Sequence, residues 1–74
     1  MAYDYSKLRG KIVEKYDTQS RFSGAMGMSE RSLSLKLNGK RPFKQQEIST
    51  ACKLLDICED DIPIYFFTLE VQRA

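Results

Sequence analysis

Seventy-four residues, 42% hydrophobic and 30% charged, hold one small domain. Two would not fit, since domains typically run to about 100–150 residues. No apolar run approaches the ~20 residues of a membrane span. The opening Met1-Ala2-Tyr3-Asp4-Tyr5-Ser6 lacks the apolar stretch of a signal peptide, so a cytoplasmic protein is expected. There is no His, and no set of carboxylates frames a cleft, so most enzyme chemistries lack their parts. The expectation is a protein that is not an enzyme, with no metal, no cofactor, no membrane and no small-molecule substrate.

Cys52 and Cys58 are the only thiols. Zinc wants four ligands, and no His completes a set. Cys52 sits in an apolar helical pattern with Ala51, Leu54 and Leu55, which reads as a buried, reduced thiol. The net charge of +2 hides a polarity along the chain. Residues 21–44 carry Arg21, Arg31, Lys36, Lys40, Arg41 and Lys44 against Glu30 alone, a balance of +5. Residues 45–74 carry a balance of −4. Such a split either reserves one face for a polyanion or is an ordinary solvated surface; composition does not decide between them.

The periodicity predicts five short helices. Tyr5, Leu8, Ile12 and Tyr16 recur at helical spacing, giving a first helix from about Asp4 to Tyr16. Thr18 is placed to N-cap a second, Gln19 to Met26, which buries Phe22 and Met26. Gly24 and Ala25 are small enough there to let another helix approach. Gly27 suits the left-handed backbone that ends a helix. Ser29 is placed to N-cap a third helix, Glu30 to Asn38, with Leu33 and Leu37 inward and Gly39 as its stop. Lys40-Arg41-Pro42-Phe43 reads as a basic loop ended by an aromatic anchor. A fourth helix, Lys44 to Leu55, buries Ile48, Ala51, Cys52 and Leu55. A short last helix begins on acidic Glu59-Asp60-Asp61, as the helix dipole prefers.

Thr18 to Gly39 is the informative unit. Two helices of about eight and nine residues, joined by a Gly-containing turn too short for an antiparallel hairpin, must cross steeply. The stretch from Thr18-Gln19-Ser20-Arg21-Phe22 through Gly27-Met28-Ser29-Glu30-Arg31 to Asn38-Gly39-Lys40 resembles the helix-turn-helix of the lambda-repressor-like (Cro/C1-type) family. The likeness runs on through Pro42 and Ile48…Ala51…Leu54-Leu55-Asp56-Ile57. The two ends, Tyr5-Ser6-Lys7-Leu8 and Asp61-Ile62-Pro63-Ile64-Tyr65-Phe66-Phe67, resemble short regulators of temperate phages of Gram-positive bacteria. Leu35 departs from the family, which commonly holds a polar residue there.

The resemblance implies an all-α fold with helices two and three as a central helix-turn-helix. It divides the chain into a DNA-binding domain, residues 1–67, and an apolar tail, residues 68–74. The implied role is a Cro-like antirepressor or modulator of repression in the lytic–lysogenic switch, working in the host cytoplasm at the nucleoid. Double-stranded operator DNA, the phage repressor, or both would be its partners. A pure protein-binding antirepressor with little DNA binding of its own, and an antidote of the toxin–antitoxin type, would share this fold.

In such proteins the third helix enters the major groove. Ser29, Glu30, Arg31 and Ser34 would face outward there. Arg31 can fork onto a guanine edge, and Glu30 can accept from a cytosine amine or merely compensate the helix dipole. Leu35 can touch a thymine methyl or a protein. Gln19 stands where the family holds a DNA-contacting glutamine, suited to phosphate. Lys36, Lys40, Arg41 and Lys44 are phosphate candidates. Phe66, Phe67, Leu69 and Val71 exceed what the core needs, and Thr68 to Val71 alternates like an edge strand. The tail is either a frayed terminus or an interface, for a homodimer or for another protein.

Overall fold

The computed structural model describes residues 3–69. Five helices follow one another: α1 (Ser6–Tyr16), α2 (Gln19–Met26), α3 (Glu30–Leu37), α4 (Gln45–Leu55) and, after a 3-10 turn at Glu59–Asp61, α5 (Ile62–Phe66). The fold is all-helical. Among the described residues the sole β-type pairing is one antiparallel bridge between Tyr3 and Leu69.

Short polar side chains set the helix starts. Thr18 accepts a hydrogen bond from the Arg21 amide at 3.1 Å, and Ser29 accepts one from Ser32 at 3.1 Å, so both expected N-caps are in place. At α4 the cap is Lys44, whose amide donates to the Glu47 carboxylate at 2.8 Å. The first helix begins at Ser6 rather than Asp4. Asp4 is held outside by two bonds: its amide donates to the Thr68 carbonyl at 2.6 Å, and its carboxylate accepts from the Ser6 amide at 2.8 Å. Bonds from the Ser6 hydroxyl and amide keep the Asp4 carboxyl below its ordinary pKa.

Left-handed residues set the ends. Gly27 has φ +73°; its amide bonds to Gly24 O at 3.2 Å and the Met28 amide to Ser23 O at 3.0 Å, a Schellman pair. The same pair closes α3, with Gly39 bonded to Lys36 O and Lys40 to Leu35 O. Asp17, at φ 72° and ψ −49°, is the centre of a γ-turn in the two-residue link between α1 and α2, the Thr18 amide donating to Tyr16 O at 2.8 Å.

Every helix contributes to one core. Leu8, Ile12, Phe22, Leu33, Leu55 and Phe66 are fully buried, with Leu37, Ala51, Cys52 and Ile57 around them. Met26 and Ile48, expected inside, are half-buried against this cluster. Tyr5, Phe43 and Phe66 meet edge to face, each step 5.3 Å between ring centroids, an arrangement aromatic quadrupoles favour. Phe43 is thus the anchor expected of it. Gly24 does not serve helix approach: a Cβ placed there would meet nothing within 4 Å.

Candidate functional site

α2 and α3 are joined by Gly27-Met28-Ser29, with half-buried Met28 packed on the core. The short connection packs α3 against α2, and burial shows which face of α3 looks outward. Leu33 and Leu37 are inward; Ser29, Glu30 and Arg31 are exposed, while Gln19, Ser34 and Leu35 are half-buried. Beyond α3 the chain folds back, the Lys40 amide bonding to Leu35 O at 2.8 Å and the Arg41 amide to the same oxygen at 3.3 Å. This holds Lys40 and Arg41 beside the C-terminal end of α3. Arg31 lies in the first turn of α3, about 9 Å of helix rise from Leu37 at the other end.

Arg9 braces this corner from α1. Its guanidinium donates to Leu37 O at 3.1 Å and to the Asn38 side chain at 2.6 Å, and Asn38 in turn donates to the Ser34 hydroxyl at 3.3 Å. Half-buried Ser34 is therefore tied into the end of its own helix.

Lys36, expected among the phosphate contacts, is instead only 7% exposed, its ammonium turned inward to form an ion pair and hydrogen bond with Glu47 of α4. An ammonium in water-excluded surroundings needs such a partner, since an unpaired one would be strongly disfavoured. Burial pushes the Glu47 carboxyl up, but hydrogen bonds from Lys36 and the Lys44 amide, with the charges of both lysines, carry it below its ordinary value. The other ion pairs among the described residues are Lys11–Glu14 at 3.7 Å and Lys15–Asp56 at 3.3 Å. Arg31, Lys40, Arg41 and Lys44 are exposed and in none of them.

The apolar end divides. Phe66 is 1% exposed and belongs to the core, so it offers no surface to a partner. Phe67 and Leu69 are about half exposed, with Tyr3 against Phe67 edge to face at 5.6 Å. Val71 lies outside the described residues. Thr68 and Leu69, expected in a separate tail, are bonded to Asp4 and bridged to Tyr3, which makes them part of the body. Burial, with Glu59 nearby, raises the Cys52 thiol pKa, which suits an inert core thiol; Cys58 is exposed.

Sequence reasoning missed Arg9 and Glu47. An acid three residues after a helix-starting position is the usual sign of a carboxylate reaching back to the cap, and Lys44 and Glu47 have that spacing. Nothing local pointed to Lys36 as its second partner.

The family model described as Protein of unknown function (DUF739) matches residues 1–69. The chain belongs to this family. No curated protein matches it. Among solved structures, this family member is similar to the solution structure of the modulator of repression of the temperate bacteriophage TP901-1 from Lactococcus lactis. The two are 53% identical, the match covers 97% of each chain, and the TM-score is 0.81. The core, the turn and the outward face described above are thus compared over nearly the full length of both molecules.

Proposed function

We propose that the chain is a regulator of the repression switch of a temperate bacteriophage, engaging operator DNA with α3 and the Lys40–Lys44 loop and the phage repressor as its protein partner. The observation that carries the regulatory role is the 53% identity over 97% of both chains with a phage modulator of repression. The DNA reading is supported by geometry: a packed pair of short helices joined by a three-residue turn, the second exposing Arg31 at its start and flanked at its end by exposed Lys40 and Arg41. In this reading Arg31 and Glu30 meet base edges, with Ser29, Ser34 and Leu35 lining the same surface. Gln19, Lys40, Arg41 and Lys44 grip phosphates. No residue is assigned a catalytic role, and the work is done at the nucleoid.

Gel-shift titration on phage switch DNA and random DNA, with and without the repressor, tests this. Arg31→Ala should cost about 1–3 kcal/mol on the preferred site and spare random DNA. Lys40→Ala should weaken both alike and lower the salt slope by about one. Equal losses in both variants on both DNAs would reassign Arg31 to the backbone. A second reading, repressor capture without DNA binding, is favoured by the exposed cluster of Tyr3, Phe67 and Leu69. A wild-type chain that ignores both DNAs yet displaces the repressor from its site would establish it.

A further inference from the structure

The N-terminal segment, the loop after α3 and the end of α5 enclose a groove of about 270 Å³. Its floor is apolar: Tyr5, Phe43, Ile48 and Phe66. Exposed Tyr3 and Phe67, packed on each other, line it together with Gly39, Lys40, Arg41 and Pro42 of the loop after α3. Among the described residues no acidic side chain lines it. An apolar cavity of ~150 Å³ already holds a benzene ring, so the space admits one bulky apolar side chain with its neighbours. Two exposed cations outside the ion pairs at the rim of an apolar pocket attract a ligand that is apolar at one point and anionic beside it.

We propose that this groove docks an acidic segment of a protein partner, one aromatic or aliphatic side chain of which enters between Phe43 and Phe67 while adjacent carboxylates meet Lys40 and Arg41. The occupant is a peptide rather than a single-stranded nucleic acid because of how the rings stand. Tyr3 packs edge to face on Phe67 at 81°, and Phe43 on Phe66 at 86°. A base stacks on an open ring face, whereas these rings are turned on one another to wall a hollow. The proposal goes beyond the operator reading and does not involve Arg31. It shares Lys40 and Arg41 with that reading but needs Phe67, which DNA binding does not use, so either reading can fail alone.

Backbone amide NMR titration of the full chain tests it with three probes: a synthetic peptide of Phe and Leu interleaved with Asp and Glu, the same peptide with Lys in place of the acids, and an oligothymidylate. The acidic peptide should shift the amides of Tyr3, Arg41, Phe43 and Phe67. Its affinity should fall with added salt and drop about ten-fold in Arg41→Glu and in Phe67→Ser, but stay unchanged in Arg31→Ala. Circular dichroism melts of each variant confirm that the fold survives. If Phe67→Ser melts early, Lys40→Glu with Arg41→Glu carries the test alone, since both side chains are exposed. No shifts with the acidic peptide, equal binding of the lysine peptide, or loss of oligothymidylate binding in Phe67→Ser to the same extent as loss of the acidic peptide would overturn the proposal.

Discussion

On its inner side α3 buries Leu33, Lys36 and Leu37; on its outer side Glu30 and Arg31 stand in solvent. Lys36 and Lys40 are four residues apart in one basic stretch, yet the first is locked to Glu47 and the second is exposed and in no ion pair among the described residues. The inner lysine serves the fold, joining α3 to α4. The outer one is the kind of charge that adds affinity for a partner and can be removed without structural loss. Charge counted along a chain therefore overstates the charge a partner meets, and helical phase decides the difference.

The strongest way to break the contrast is on the inner side. Glu47→Ala strands the Lys36 ammonium and removes the acid that caps α4. A loss of about 3 kcal/mol is expected, since deleting one member of a largely buried pair leaves an uncompensated charge. For a chain of this length that is a large share of a stability on the order of 5–10 kcal/mol. Urea unfolding measures it. Adding Lys36→Met should restore part of the loss, because the stranded charge goes with it. Non-additivity in that double-mutant cycle separates the pair from the cap. Acid provides a second readout. The folded-state carboxyl is held below its ordinary value, so its stabilisation is complete above the unfolded-state pKa of about 4.3 and drains as pH falls through the lower folded value. Wild type should lose stability more steeply than Lys36→Met/Glu47→Gln below about pH 4.3, and equal slopes would show that the pair is not what depresses the carboxyl.

What was legible in the sequence follows the same division. The Thr18 and Ser29 caps and the Gly27 and Gly39 stops are contacts between residues three to five apart, and each is where its local signal placed it. Lys36–Glu47 and the bond from Asp4 to Thr68 join residues far apart in the chain, and no local pattern encodes them. The first helix starts two residues later than its periodicity predicts because Asp4 is bonded to Thr68 at the far end of the chain. Phe66 and Phe67 are adjacent and chemically identical, so only the turn of α5 decides that one fills the core and the other reaches solvent. For the candidate site, residue type picked out Arg31, Lys40, Arg41 and Lys44. It could not show that Lys36 faces the other way.

A smaller effect is expected at the hinge that sets the two faces. Gly27 holds φ +73°, and a Cβ added there would meet nothing within 4 Å. The cost of Gly27→Val is thus backbone strain alone, about 1–2 kcal/mol, read as a lower urea midpoint at constant m-value. Gly27→Asn should cost less, since Asn tolerates the left-handed region better. Val and Asn variants of equal stability would show that the turn is rebuilt around either side chain, and α3 would not depend on Gly27 for its direction.

The smallest effect sharpens the contrast on the outer side, at Gly24. This glycine lies within α2, is exposed, and has ordinary helical backbone with open space where its Cβ would be. Glycine inside a helix costs roughly 0.5–1 kcal/mol relative to alanine because it gives up more backbone entropy on folding. Nothing in the described fold gains from its presence. Gly24→Ala should therefore stabilise by about that amount, raising Tm by roughly 2–8 °C in a domain of this size. The informative comparison is with binding. If the variant melts higher and holds switch DNA and repressor as wild type does, the outer face of α2 is plain solvent surface. If it melts higher yet binds either one less well, the missing Cβ is clearance for a partner, and the outer side of the unit extends from α3 onto α2. A lower Tm would contradict the open space at that position, and with it the account of α2 given above.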